Sequence, residues 1–143
     1  MLVRCLYASR ARKNLESRSL DQILEQSRRN NPNRGITGLL CFANEVFVQA
    51  IEGGRDEVCE LFNRIVRDDR HGHVRLLLFE EITERRFGDW TMGQAKVEGV
   101  NRALLLKYSE KAELDPFSIS GHATMSLLAE LAATGSIVQR TAS

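Results

Sequence analysis

"GITGLLCFANEVFVQAIEGG", residues 35–54, decides the fold. Ile36 to Phe42 and Val46 to Ile51 are two apolar runs of strand length. Only Ala43, Asn44 and Glu45 separate them. Asparagine tolerates the left-handed backbone of a tight turn, so the two runs form a hairpin. Gly53-Gly54 then breaks the second strand. That strand carries apolar groups on both faces, which calls for cover on both sides of the sheet. Gln49 interrupts it on the side of Phe47 and Ile51. Burying an amide without partners costs roughly 1–3 kcal/mol, so the glutamine needs a reason.

Working outward, Leu2 to Ala8 reads as a first strand, with Val3, Cys5 and Tyr7 on one face and Leu2, Arg4 and Leu6 on the other. Ser19 is the expected N-cap of a helix, with Gln22 closing a capping box. Leu20, Ile23, Leu24 and Ser27 repeat at helical spacing, and four residues further the stripe reaches Asn31. Pro32 limits that helix. A second helix opens with Asp56 and Glu57, buries Val58, Leu61, Phe62 and Ile65, and ends with Arg67, Arg70 and His71. "VRLLLFEEI" (Val74 to Ile82) predicts a fourth strand, and Met92 to Val97 a short last one. The order β-α-β-β-α-β plus one strand predicts an α+β, ferredoxin-like sheet with both helices on one face. Its first and third strands are then neighbours. Leu6, Val48 and Ala50 need cover on the opposite face. The tail supplies it with "NRALLLKYSEKAELD", Pro116 and a helix near "SGHATMSLLAELAATG", where Met125, Leu127, Leu128, Leu131 and Ala132 form a stripe and Gly135 a stop. These helices either close the sheet or dock a partner. The expected division is a main sheet domain over residues 1–98 and a helical extension over 99–143.

At 143 residues and net charge +1 the chain is expected to be one soluble domain, with no field that favours nucleic acid or an anionic membrane. Nucleic-acid binding is therefore not expected. Arg10, Arg12, Lys13, Arg28, Arg29 and Arg34 read as a solvated rim. Cys5, Cys41 and Cys59 lack metal-ligand spacing and suit a reducing compartment. "MLVRCLYASR" reads as a strand, not a signal peptide, and no apolar run approaches ~20 residues, so the expected location is the cytoplasm.

Enzyme signatures are missing. The sequence has no G-x-S-x-G, Walker loop or dinucleotide glycine fingerprint. His71 and His73 would point apart on a helix, so no metal site is expected. The anion loop of acylphosphatases, which share this fold, needs a glycine that "YASRARKN" lacks. A polar set remains. Tyr7 and Gln49 lie on adjacent strands, and Asn31 closes the first helix's inward stripe. Three such groups between two helices suit a flat polar ligand.

At this point the chain resembles the BLUF family, blue-light sensors that use FAD. The resemblance rests on "LYAS" (Leu6 to Ser9), "SRRNNPNRGITGLL" (Ser27 to Leu40), "FVQAIEG" (Phe47 to Gly53), "DDRHGHV" (Asp68 to Val74) and "RRFGDWTMG" (Arg85 to Gly93). It implies a photoreceptor rather than an enzyme. Tyr7 would give an electron and a proton to the excited flavin, and Gln49 would bridge the tyrosine hydroxyl and the flavin edge. Asn31, with Asn30, would bond the pyrimidine end of the ring. The resemblance also implies flavin contacts at Ser9, Ser27, Arg64, Asp68, Arg70 and His71. Ser9, Trp90 and Met92 would surround Gln49. Trp90 and Met92, two apart on the last strand, would share a face, so that one packs beside Gln49 and the strand carries the signal to the tail. The implied cofactor is FAD, with FMN or riboflavin as substitutes. Implied partners are a further copy of the chain, in a dimer or larger oligomer, and a separate downstream signalling protein. The alternative is an interaction module of the same fold that has lost its flavin and its response to light.

Overall fold

A computed structural model of the chain describes residues 1–12, 17–95, 102–134 and 137–138, with backbone only at 17–19 and 137–138. In chain order its elements are β1 (Leu2–Ala11), α1 (Ser17–Arg34), β2 (Thr37–Ala43), β3 (Val46–Gly54), α2 (Arg55–Arg67), β4 (His71–Ile82), β5 (Gly93–Ala95), α3 (Arg102–Tyr108), α4 (Gly121–Ala133) and β6 (Ile137–Val138). The α+β, ferredoxin-like expectation holds. The strands are ordered β4-β1-β3-β2-β5-β6, with β5 parallel to β2.

The hairpin is tight because Asn44 and Glu45 both take positive φ, 52° and 63°. Such a pair matches the twist of the flanking strands. β1 pairs antiparallel with β3 in a register that sets Tyr7 directly opposite Gln49. Above one face, Val58 of α2 packs with Val3, Cys5, Tyr7 and Ile51. Leu24 of α1 packs with Leu40, Phe47 and Met92. On the other face, Leu105, Met125, Leu127, Leu128 and Leu131 of the two tail helices cover Leu6, Val48 and Ala50. The tail therefore closes the sheet. Burial pushes the Cys5 and Cys41 thiols up to about 12, which leaves both as small apolar groups.

Four expectations need correction. Pro32 does not end α1. It sits in the last turn, and termination falls to Gly35, whose φ of +65° releases the chain into β2. Ser19 lies two residues inside the helix rather than at its cap. Arg70 and His71 do not belong to α2, because Asp68 caps that helix and β4 begins at His71. The last strand starts at Gly93, beyond both Trp90 and Met92. A short β6 that the sequence did not suggest joins the β5 edge. Val97, the expected boundary between residues 98 and 99, and Gly135 lie outside the described residues. Among the described residues no helix is long and apolar enough to cross a membrane.

Candidate functional site

α1 and α2 stand apart on their shared face, and the gap is a cleft of about 870 Å³, part of it open to solvent. Tyr7, Leu40, Phe47 and Gln49 make its floor. Ile23, Gln26, Ser27, Asn30, Asn31 and Arg34 form one wall, and Leu61, Arg64, Ile65 and Asp68 the other, with Arg70 and His71 at the rim. Each wall is one helical stripe, spaced three, one and three residues apart.

On the floor, the Tyr7 hydroxyl donates to Gln49 Oε1, and Gln49 Nε2 donates to Met92 Sδ at 3.3 Å. Both side chains are 4% exposed. Burial, reinforced by Cys5 and Asp68, pushes the Tyr7 phenol well above its ordinary range of about 10, so it keeps its proton at rest. Asn31 is buried at the inner end of its wall, where Nδ2 donates to the Thr91 carbonyl at 3.0 Å. That bond ties α1 to the segment that carries Met92.

At the rim, Arg70 grips Asp68 through Nε and Nη2, and Nη2 also reaches Gln26 Oε1 at 3.2 Å, so the turn spans both walls. The Arg70 guanidinium holds the Asp68 carboxyl below its ordinary range, against a smaller effect of burial. His71 is buried. Its Nε2 faces the Ile65 carbonyl, which only accepts, so Nε2 carries the proton and Nδ1 accepts from Ser9 Oγ at 2.7 Å. The imidazole then stands edge-on to Tyr7 and Phe47. His73, two residues on, takes a φ of 51° and turns to the other side, against Phe117. The pair separates in a strand rather than a helix. Among the described residues no cluster of His, Cys, Asp or Glu could hold a metal.

Of the residues singled out from the sequence, Tyr7, Ser27, Asn30, Asn31, Gln49, Arg64, Asp68, Arg70 and His71 all line the cleft. Ser9 does not; it lies behind, holding His71. The pairing of Trp90 and Met92 on one face is wrong. Both lie in the connection before β5, and Met92 packs on the helix side among Leu24, Leu40 and Phe47. Trp90 packs on the opposite side against the tail's core, its ring 6.5 Å from that of Phe87. Gln26 and Arg34, which the sequence left off the site, are reached by extending the α1 stripe by one turn, and Leu61 and Ile65, read as the buried stripe of α2, also line the cleft.

The cleft suits a flat ring with polar edges. Its floor is apolar apart from one phenol and one amide, and its mouth carries three guanidinium groups (Arg34, Arg64, Arg70) against the single Asp68 carboxylate. Arginines in such numbers suit a phosphate-bearing ligand. The family model described as BLUF, sensors of blue-light using FAD, matches residues 2–93. Photoactivated adenylate cyclase subunit beta of Euglena gracilis is 34% identical over 93 residues, a match that takes in 64% of this chain and 11% of that protein. The chain thus spans about a tenth of that relative's length. Among solved structures, the BlsA photo-activated state aligns with a TM-score of 0.82 at 30% identity, covering 92% of this chain and 94% of that one. "BlrB - a BLUF protein, dark state structure" aligns with a TM-score of 0.78 at 35% identity, covering 94% and 96%.

Proposed function

The chain belongs to the BLUF family of blue-light flavin sensors, and from that premise we propose that it is a photoreceptor that holds FAD between α1 and α2 and signals by re-pairing Gln49. The Tyr7–Gln49–Met92 chain of hydrogen bonds carries this reading. Bound flavin would supply blue-light absorption and the capacity to accept an electron. Everything else is done by side chains. Asn30, Asn31 and Ser27 offer hydrogen bonds to a ring edge, and Leu40, Phe47, Ile23 and Ile65 keep water from it. Arg34 and Arg64 suit the phosphates, which favours FAD or FMN over riboflavin.

Gln49 is suited to switching because its amide offers one acceptor and one donor on a rotatable group. Tyr7 Oη can donate or accept, so it tolerates either face of the amide. Met92 Sδ accepts only, and weakly. The two amide orientations therefore differ by little, and an electron lost from Tyr7 to bound flavin, with its Oη proton leaving along the hydrogen bond to Gln49 Oε1, would be enough to favour the turned one. Return of the electron and proton to Tyr7 would leave the amide turned, and the first arrangement would come back thermally in darkness.

A turned amide withdraws its donor from Met92. That connection runs from Met92 on the cleft side to Trp90 and Phe87 on the tail side, where Phe87 packs with Leu105, Leu127 and Leu131. The signal passes through this loop to α3 and α4, which supports residues 1–98 as the sensor and 99–143 as the output, read by a separate protein or a second copy of the chain in the cytoplasm. The cyclase activity in the Euglena gracilis relative's name is said of that relative alone, since the match takes in 11% of its length. The flavin-free alternative is not favoured, because it leaves the donor-lined cleft without a purpose.

The test is purification followed by acid release and chromatography of the flavin, then absorption before and after blue light. Yellow protein with FAD and a red-shifted band that relaxes in darkness is expected. Colourless protein, or flavin that only bleaches, would overturn the reading.

A further inference from the structure

Glu52 is fully buried, and its carboxylate accepts from the Arg4 guanidinium and from two backbone amides. Arg4 donates from Nε at 2.8 Å and Nη2 at 2.7 Å, the Arg86 amide donates at 3.0 Å to both oxygens, and the Phe87 amide at 2.6 Å. The carboxylate is thus built into the sheet as an acceptor for two backbone amides more than 30 residues away. Those amides belong to the β4–β5 connection that delivers Met92 to Gln49. Glu52 is three residues from Gln49 on β3, so the two project from opposite faces of one strand. Glu52 grips the connection on the tail side, and Gln49 touches its far end on the cleft side. Between them the connection is tied by Trp90 O to the Gly38 amide and by Thr91 O to Asn31 Nδ2, both at 3.0 Å. Arg85 adds a bond to Thr37 Oγ1 at 2.8 Å.

We infer that Glu52, oriented by Arg4, is a positioning residue that fixes the register of the β4–β5 connection and so sets the distance of the Met92 thioether from the Gln49 amide. A weak acceptor such as sulfur tells on the amide only while it is held at hydrogen-bond range, and a buried charged clamp on the same strand holds it there. Glu52→Gln exchanges one acceptor oxygen for a donor that faces other donors, so the connection must shift or loosen. Because the inference rests on Gln49 as the switch, its test needs one readout that light does not enter.

The chain has three methionines, Met1, Met92 and Met125. Flavin-loaded protein labelled with ¹³C at the methionine methyls should show the Met92 resonance displaced in Glu52→Gln in the dark. The dark-recovery rate should change by about threefold to tenfold, the equivalent of one modest hydrogen bond. Combined with Met92→Ala, Glu52→Gln should add no further change in recovery, because the residue it positions is gone. Should Glu52→Gln fold poorly, Arg85→Ala cuts a second, half-buried tie of the same connection, and it should move the same resonance. A Met92 resonance that stays in place in the folded variants would overturn the inference, as would effects on recovery that add independently of Met92. Wild-type protein without any reversible spectral change would instead defeat the photoreceptor reading and leave the resonance to judge the clamp.

Discussion

Replacing both ends of the buried Tyr7–Gln49 hydrogen bond should cost less than replacing either end. Tyr7→Phe leaves Gln49 Oε1 without its phenol donor in a site where the amide is 4% exposed. An abandoned buried acceptor costs about 1–3 kcal/mol. Gln49→Leu strands the Tyr7 hydroxyl in the same way, at about 1–3 kcal/mol less whatever the added apolar contact returns. The double variant has neither orphan and replaces a polar pair by apolar groups of similar size, for about 0–1 kcal/mol. The coupling energy should therefore be at least about 1 kcal/mol. Urea unfolding of the four flavin-loaded proteins measures it, at equal free flavin and with each protein's affinity determined, so that the ligand's own contribution can be subtracted. All three variants should retain flavin and lose the reversible spectral shift. Single costs that simply add, within about 0.5 kcal/mol, would mean that the two side chains do not act on one another.

Asn31→Ala removes a buried tie to Thr91 and a wall of the cleft, so flavin content per purified chain should fall, as read from the ratio of flavin to protein absorbance. Asp68→Asn should lower the melting temperature at pH 7, by an amount that shrinks steadily as the pH is taken below about 3.9. The Arg70 guanidinium depresses the folded carboxyl below its unfolded value of about 3.9, so this stabilisation exists above that value and disappears as pH falls through the folded one. Because the pair is 27% exposed on each side, the difference should stay within about 1 kcal/mol. Gly121→Ala would set a Cβ 2.5 Å from the Leu77 carbonyl oxygen, so α4 must lift from β4. A loss of about 1–3 kcal/mol in chemical denaturation is expected.

The hairpin was legible because Asn44 stands between two strand-length apolar runs, and the facing of Tyr7 and Gln49 followed from strand adjacency alone. Both walls of the cleft are written in helical spacing, so the place of Asn31 was legible in the sequence, and Gln26, Arg34, Leu61 and Ile65 were within reach of the same rule. What escaped depends on single backbone torsions or on distant partners. His71 read as a helix end because charges cluster there, and nothing local announces the φ of 51° at His73 that sends the two histidines to opposite sides. Trp90 and Met92 read as one strand face because their spacing is two. The chain there is a crossing loop, so spacing carries no facing. Nothing local marks Glu52, because its backbone donors at Arg86 and Phe87 lie 34 and 35 residues on.

The central claim is that light acts on one tyrosine and one amide. The chain has only two tyrosines, Tyr7 and Tyr108. The most direct measurement is a light-minus-dark infrared difference spectrum of flavin-loaded protein with isotope-labelled tyrosine. A reversible tyrosine C–O band that persists in Tyr108→Phe and vanishes in Tyr7→Phe is predicted. A reversible visible shift with no tyrosine band, or with one that survives Tyr7→Phe, would contradict the account.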